Sequence, residues 1–109
     1  MKVDFSKIIR NLQGEPIKET EGGKDLTLGM VSATALLASF PDETGLEGSD
    51  KYKRFKLALL VAEGGVQEVE VEQAALLKKL LSKAYGPLVV GRSYEIIEES
   101  KVVAVKKAG

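Results

Sequence analysis

The chain contains no cysteine and no histidine. The first absence excludes disulfides, thiolate nucleophiles and thiolate metal sites. The second removes the commonest general base and the commonest metal ligand. Carboxylates, Lys, Tyr, Ser and Thr remain. Enzymes can be built from these, but the usual hydrolytic and metal constellations cannot, so neither a catalytic residue, a cofactor nor a metal is expected. An excess of one charge is lacking too: 16 Lys and Arg balance 16 Asp and Glu. No net field therefore argues for nucleic acid or an anionic membrane as partner. Long apolar runs are also missing. No segment approaches the roughly 18 residues of a membrane span, and "MKVDFSKIIRNLQGEP" has no run suited to a signal peptide. A cytoplasmic location is the expectation.

What is present suits one domain of 109 residues with a single modest core, drawn from a hydrophobic fraction of 44%. Residues 3–19 read as a β-hairpin: Val3, Phe5, Ile8 and Ile9 precede "QGEP", where Gly14 can supply the positive φ of a tight turn. Pro16, lacking a donor, belongs at an edge or a strand start. A polar connection, "TEGGKD", follows.

Thr27 is placed to cap a helix, "LGMVSATALLASF", that Pro41 stops. Two stripes run along it, Met30, Ala33, Leu37 and Phe40 on one and Leu28, Val31, Ala35 and Ala38 on the other. An all-round apolar helix is expected at the centre of the core, with a self-association face as the alternative. "PDETGLEGS" is a loop by its Pro, Gly and acids, acidic enough to serve as a docking segment but read as a connector. The next helix, "KYKRFKLALLVAE", has Tyr52, Phe55, Leu59 and Ala62 as its expected inner stripe, and Gly64-Gly65 ends it. "VQEVEV" alternates as a brief strand. From about Glu72 the period turns helical, with Leu76, Leu77, Leu80, Leu81 and Ala84 inward, and the early acid and late lysines suit the helix dipole.

Gly86-Pro-Leu-Val-Val-Gly91-Arg92-Ser93 is one residue from the phosphate-binding pattern G-x-x-x-x-G-K-[ST]. A phosphate loop needs a buried strand running into it so that several backbone amides aim at one point. Here an amphipathic helix leads in, and the interior is bulky and apolar. Gly86 reads instead as a left-handed helix terminator and Pro87 as the first residue of a new helix, 87–99. A rival reading pairs "SYEII" with "KVVAVK", 101–106, as a hairpin across Glu98-Glu99-Ser100, and a strand at 102–105 could pair with the N-terminal hairpin. The tail 106–109 is expected to be mobile.

Four residues are candidates for contact with a partner: Lys53, Arg54, Lys56 and Tyr85. "KYKRFK" interleaves cations with aromatics, as nucleic-acid-binding segments do. On a helix, however, Tyr52 and Phe55 would fall inward and leave the basic residues as a solvated face. Tyr85, beside Gly86-Pro87, either packs the helix corner or anchors an interface. Glu95, Glu98 and Glu99 lack the loop that a hard cation needs, and read as solubilising charge.

"GEPI", "KDLTLGMVSATALLASFPDE", "KRFKLA" and "LLKKLLSKAYGPLVVGRSYEII" together resemble a family of small proteins encoded by tailed bacteriophages and prophages. The resemblance spans residues 1 to about 98. It implies a phage or prophage origin and a chain of this size, with virion association as one setting, and it carries over no functional residue.

The expected fold is α+β in a single domain 1–109: a hairpin over 1–20, then a helical part over 27–99 of about four short helices with one or two minor strands. The expected core draws on Met30, Val31, Leu37, Phe55, Leu59, Leu77, Leu81 and Ile97. The expected function is non-enzymatic, through contact with a phage or host protein. The alternative is a nucleic-acid-associated regulator using the basic helix 51–56.

Overall fold

The computed structural model describes the backbone of residues 1–108 and the side chains of residues 1–99. Its elements are β1 (Lys2–Asp4), α1 (Leu28–Leu37), α2 (Gly48–Ala62), β2 (Val66–Glu68), α3 (Val71–Ala84) and α4 (Pro87–Ala108). An antiparallel pair of strands with four helices makes an α+β fold, as expected. The helix α1 packs on α2 and α3, α3 packs on α4, and α4 packs on β1.

The hairpin turn forms where Gly14 predicts it. Gly14 takes φ +84°, and the Asn11 side-chain oxygen accepts from the Gln13 and Glu15 amides at 2.9 Å each. An Arg10–Pro16 bridge closes the turn. The start of the chain, however, pairs with a distant segment. Lys2, Val3 and Asp4 face Glu68, Gln67 and Val66 of β2. Phe5 N–H donates to the Gly65 carbonyl and Val69 N–H to that of Met1, both at 2.8 Å. Between these pairings three extended segments close a triangle of backbone bonds. Ile9 N–H donates to Leu26 C=O (2.8 Å), Leu26 to Ile17 (2.7 Å) and Ile17 to Ile9 (3.0 Å). The triangle satisfies the polar backbone that Ile9 carries into the core, where an orphaned amide would be costly, and Gly65 and Gly29 do the same for Phe5.

The helix α1 starts at Thr27, whose hydroxyl accepts from the Met30 amide at 3.3 Å. It stops at Leu37, earlier than the proline alone requires, because Ala38 is extended and Phe40 folds back against the core. Gly29 sits where three backbones converge: its N–H donates to Phe5 C=O at 2.8 Å, and a Cβ there would lie 2.6 Å from the Val61 oxygen.

The buried face of α2 differs from expectation. Arg54, Leu57, Ala58 and Val61 point inward, while Tyr52, Phe55 and Leu59 are exposed. Both stripes carry enough apolar surface for a core. Gly29 of α1 comes against the Val61 carbonyl of α2 with no room for a Cβ, and that approach fixes which side of α2 faces the core. Leu37 is likewise exposed and Met30 half-buried, so four of the eight expected core residues, Val31, Leu77, Leu81 and Ile97, are fully buried.

Gln73 Oε1 accepts from the Glu70 amide at 2.8 Å and fixes the start of α3. Gly86 is not left-handed, contrary to expectation. Tyr85 ends α3 in an extended conformation, and the Gly86 carbonyl instead accepts the Val90 amide at 3.1 Å, opening α4 at Pro87. The chain is helical through 87–97 and α4 continues to Ala108, in place of the strand expected at 102–105. Of the expected mobile tail, 106–109, the first three residues close α4 and Gly109 lies outside the described residues. Gly91 lies exposed in α4, and a Cβ added there would have no heavy atom of a neighbouring group within 4 Å. Gly91→Ala is therefore expected to raise stability by up to ~1 kcal/mol, read as a higher urea midpoint at unchanged m-value.

Candidate functional site

The G-x-x-x-x-G-R-S stretch lies wholly in the α3–α4 junction and α4, so it does not form the strand-to-helix loop that aims several amides at one phosphate. Arg92 pins α4 to the hairpin turn: Nε donates to Arg10 C=O at 3.1 Å and Nη2 to Asn11 C=O at 2.8 Å. Ser93 is fully buried, and its hydroxyl, like that of Ser32, has no hydrogen-bond partner among the described residues. The acids of α4 are engaged in ion pairs, Glu95 with Arg92, Glu98 with Lys78 and Glu99 with Lys7. The last two fasten α4 to α3 and to the N-terminal segment.

The basic helix is divided by its phase. Lys53 and Lys56 are exposed, whereas Arg54 is buried and bonded through both guanidinium nitrogens to Glu43, at 2.9 and 2.5 Å. The expected common basic face of Lys53, Arg54 and Lys56 does not form. Glu43 comes from the loop 38–47, which Lys83 of α3 also grips, at 2.9 Å from Asp42 and 3.7 Å from Glu43. The hydrogen bonds from Arg54 hold the Glu43 carboxyl below its ordinary pKa and raise that of Arg54; the bond from Lys83 lowers that of Asp42. The acidic loop is thus strapped to two helices. Tyr85 is half-buried at the α3–α4 corner and packs against the core, so it does not stand out as an anchor.

What the surface does offer is a stripe along α2. Tyr52, Phe55 and Leu59 are 60, 47 and 50% exposed at spacings of three and four residues. The two rings lie 6.5 Å apart, and the Lys56 ammonium sits 6.0 Å from the Tyr52 centroid. Phe55 borders a cleft of about 350 Å³ that Leu37, Phe40, Leu46 and Lys51 also line. Tyr52 borders a groove of about 700 Å³ between α2 and α3, walled by Lys53, Lys56, Leu60, Glu72 and Leu76. The cleft brings Arg54 close to apolar walls, but that guanidinium is already occupied by Glu43. Neither concavity gathers a nucleophile with a base.

Sequence periodicity located this stripe and assigned it to the wrong side. The available signal was that α2 carries two apolar stripes where one suffices. Among the described residues, no group of three or more acidic side chains is placed to hold a metal ion, and no helix is long and apolar enough to cross a membrane. Comparison with protein-family models, with curated proteins and with solved structures finds no match.

Proposed function

We propose that this chain is a non-enzymatic protein-interaction module whose contact surface is the outer face of α2. In the phage or prophage setting that the sequence resemblance implies, such a module is an assembly accessory or a modifier of a host protein. The observation that carries the reading is the exposure of Tyr52, Phe55 and Leu59 on one helical stripe. Single exposed apolar residues are ordinary; a run of them on one face, with aromatics, is what interfaces use. The lack of His and Cys supports a role without chemistry. The nucleic-acid alternative is weaker than the sequence suggests, because Arg54, one of the four cations of 51–56, is buried and engaged with Glu43.

The test is capture by the tagged chain from phage-infected or lysogenic bacteria, with and without nuclease, beside a Leu59→Asp variant. Leu59 is half-exposed, so the variant is expected to fold, as circular dichroism would verify. A protein partner that survives nuclease, and whose recovery falls roughly tenfold or more with the variant, is the expected result. Recovery insensitive to Leu59→Asp, or dependent on nucleic acid, would overturn the reading.

A further inference from the structure

The loop 38–47 between α1 and α2 is held to the body by side chains alone. From Ala38 to Leu46 its backbone exchanges no hydrogen bond with another element among the described residues. The bond it makes, Glu43 N–H to Phe40 C=O at 3.0 Å, is internal. Three residues do the fastening. Glu43 accepts two bonds from Arg54 of α2. Lys83 of α3 lies 2.9 Å from Asp42, 3.7 Å from Glu43 and 5.5 Å from the centre of the Phe40 ring. Phe40 itself is half-buried against the core. Beyond Glu43 come exposed Thr44, Gly45 at φ +76°, and Leu46, which lines the cleft beside Phe55.

The helices that carry the loop meet each other elsewhere. Gly29, at the start of α1, lies against the Val61 carbonyl near the end of α2, and the loop joins the opposite ends of both helices. Ala38 and Glu47, where the loop leaves α1 and enters α2, are extended. The cleft of about 350 Å³ that the loop helps to wall is lined by buried Leu36 and Arg54 and by exposed Leu37 and Phe55. A segment with few backbone bonds and few points of attachment opens at a lower free energy than the packed helices around it.

We infer that the loop 38–47 is a latched strap, which lifts as a unit about Ala38 and Glu47 while the helices stay folded, and which in lifting uncovers Arg54 and Leu36 beside Phe55. The opening stands on this geometry alone. Its consequence, a wider α2 face that gains an arginine, rests on the reading of that face as a contact surface. The latch is one of charge, so acid releases it. Glu43 faces Arg54 of α2 and Lys79 and Lys83 of α3, and Asp42 faces Lys83. Asp50 acts on Arg54 from the start of α2, and Lys51 lines the cleft. Protonating Glu43 and Asp42 removes the charges that Arg54 and Lys83 hold.

The chain has no tryptophan and no cysteine, so probes can be placed singly. Phe40→Trp puts the sole tryptophan on the strap. In that background, adding Glu43→Ala at neutral pH should shift the emission to the red and raise its quenching by acrylamide, with the far-ultraviolet ellipticity kept. The Arg54 guanidinium, which cannot shed its proton, then regains water only when the strap lifts. Lys83→Gln, at a partly exposed position, should act in the same direction to a smaller extent. In an acid titration of Phe40→Trp alone, the emission should change at a higher pH than the ellipticity. Spin labels on Thr44→Cys and Ser82→Cys, both at exposed positions, leave the Phe40 packing untouched. Their distance distribution should broaden when Glu43→Ala is added. Emission and label distance that stay unchanged in Glu43→Ala would overturn the strap. So would emission and ellipticity lost together in acid, because the loop would then belong to one cooperative unit with the helices. Capture from bacteria that ignores Leu59→Asp would remove the α2 contact face and leave the strap standing.

Discussion

Replacing Glu43 with Ala is expected to lower the melting temperature by on the order of 10 °C. The reason lies in what is left behind. The Arg54 side chain is on the buried face of α2, with only 9% of its side-chain area accessible, and both of its bonded nitrogens point at Glu43. Without the carboxylate a guanidinium remains enclosed and cannot be deprotonated. Arg54→Met should cost less, because the replacement keeps an apolar stem in the core and the freed Glu43 keeps Lys83 at 3.7 Å. Combining Glu43→Gln with Arg54→Met should restore much of the loss, since replacing both ends of a buried pair is far milder than breaking it. A double variant no more stable than Glu43→Ala would show that the pair holds the loop 38–47 in some way other than by charge.

The same pair sets part of the pH dependence. The Arg54 hydrogen bonds hold the Glu43 carboxyl below its ordinary value of 4.5. A depressed folded pKa contributes stability that is fully present above the unfolded value. That stability is lost as pH falls through the lowered folded value. Urea midpoints should therefore fall as the pH drops below about 4.5, and Glu43→Gln should flatten that acid limb. The limb should not vanish. Asp4, bonded by Ser6, Asp42, bonded by Lys83, and Glu68, bonded by the chain's amino terminus, are lowered in the same direction. With no histidine, no side chain of ordinary pKa titrates between about pH 5 and 8.

Gly29→Ala should destabilise the fold by about 2–3 kcal/mol. On helix propensity alone the change would be favourable. The added Cβ, however, would lie 2.6 Å from the Val61 oxygen and 3.1 Å from the Phe5 oxygen, both backbone atoms that cannot rotate away. Either α1 must separate from α2 or the N-terminal segment must move, and both routes loosen the burial of Phe5, Leu28 and Val61. The opposite sign expected for Gly91→Ala makes an internal control, since the same substitution in another helix meets open space. Chemical denaturation of the two variants side by side decides the matter. Equal responses would mean that the three backbones at Gly29 part without cost.

Much of this fold was legible because its signals are local. Thr27 caps α1, Gly64-Gly65 ends α2, and Pro87 opens α4, each through a backbone property of one residue. The dismissal of the phosphate-loop pattern was equally local, for the segment before Gly86 has helical periodicity and the structure makes it α3. The pairing of β1 with β2 was not legible. Val3 meets Gln67, and nothing near either residue names the other. The turn at Gly14 does join two paired segments, Arg10 against Pro16 and Ile9 against Ile17, but residues 2–4 leave that hairpin for β2.

The candidate site shows the same division. The sequence alone determined that Tyr52, Phe55, Leu59 and Ala62 share one stripe of α2, that cations lie among its aromatics, and that no cysteine or histidine chemistry exists anywhere in the chain. Periodicity states which residues share a helical face, but two faces of similar apolarity leave open which is buried. Tertiary packing decided that. The approach of α1 at Gly29 and Val61 selected the stripe with Leu57, Ala58 and Val61, and a carboxylate from the loop, 11 residues before Arg54, made it possible to bury that arginine. The consequence was to turn Tyr52, Phe55 and Leu59 outward, because a helix that buries one of two such stripes must expose the other.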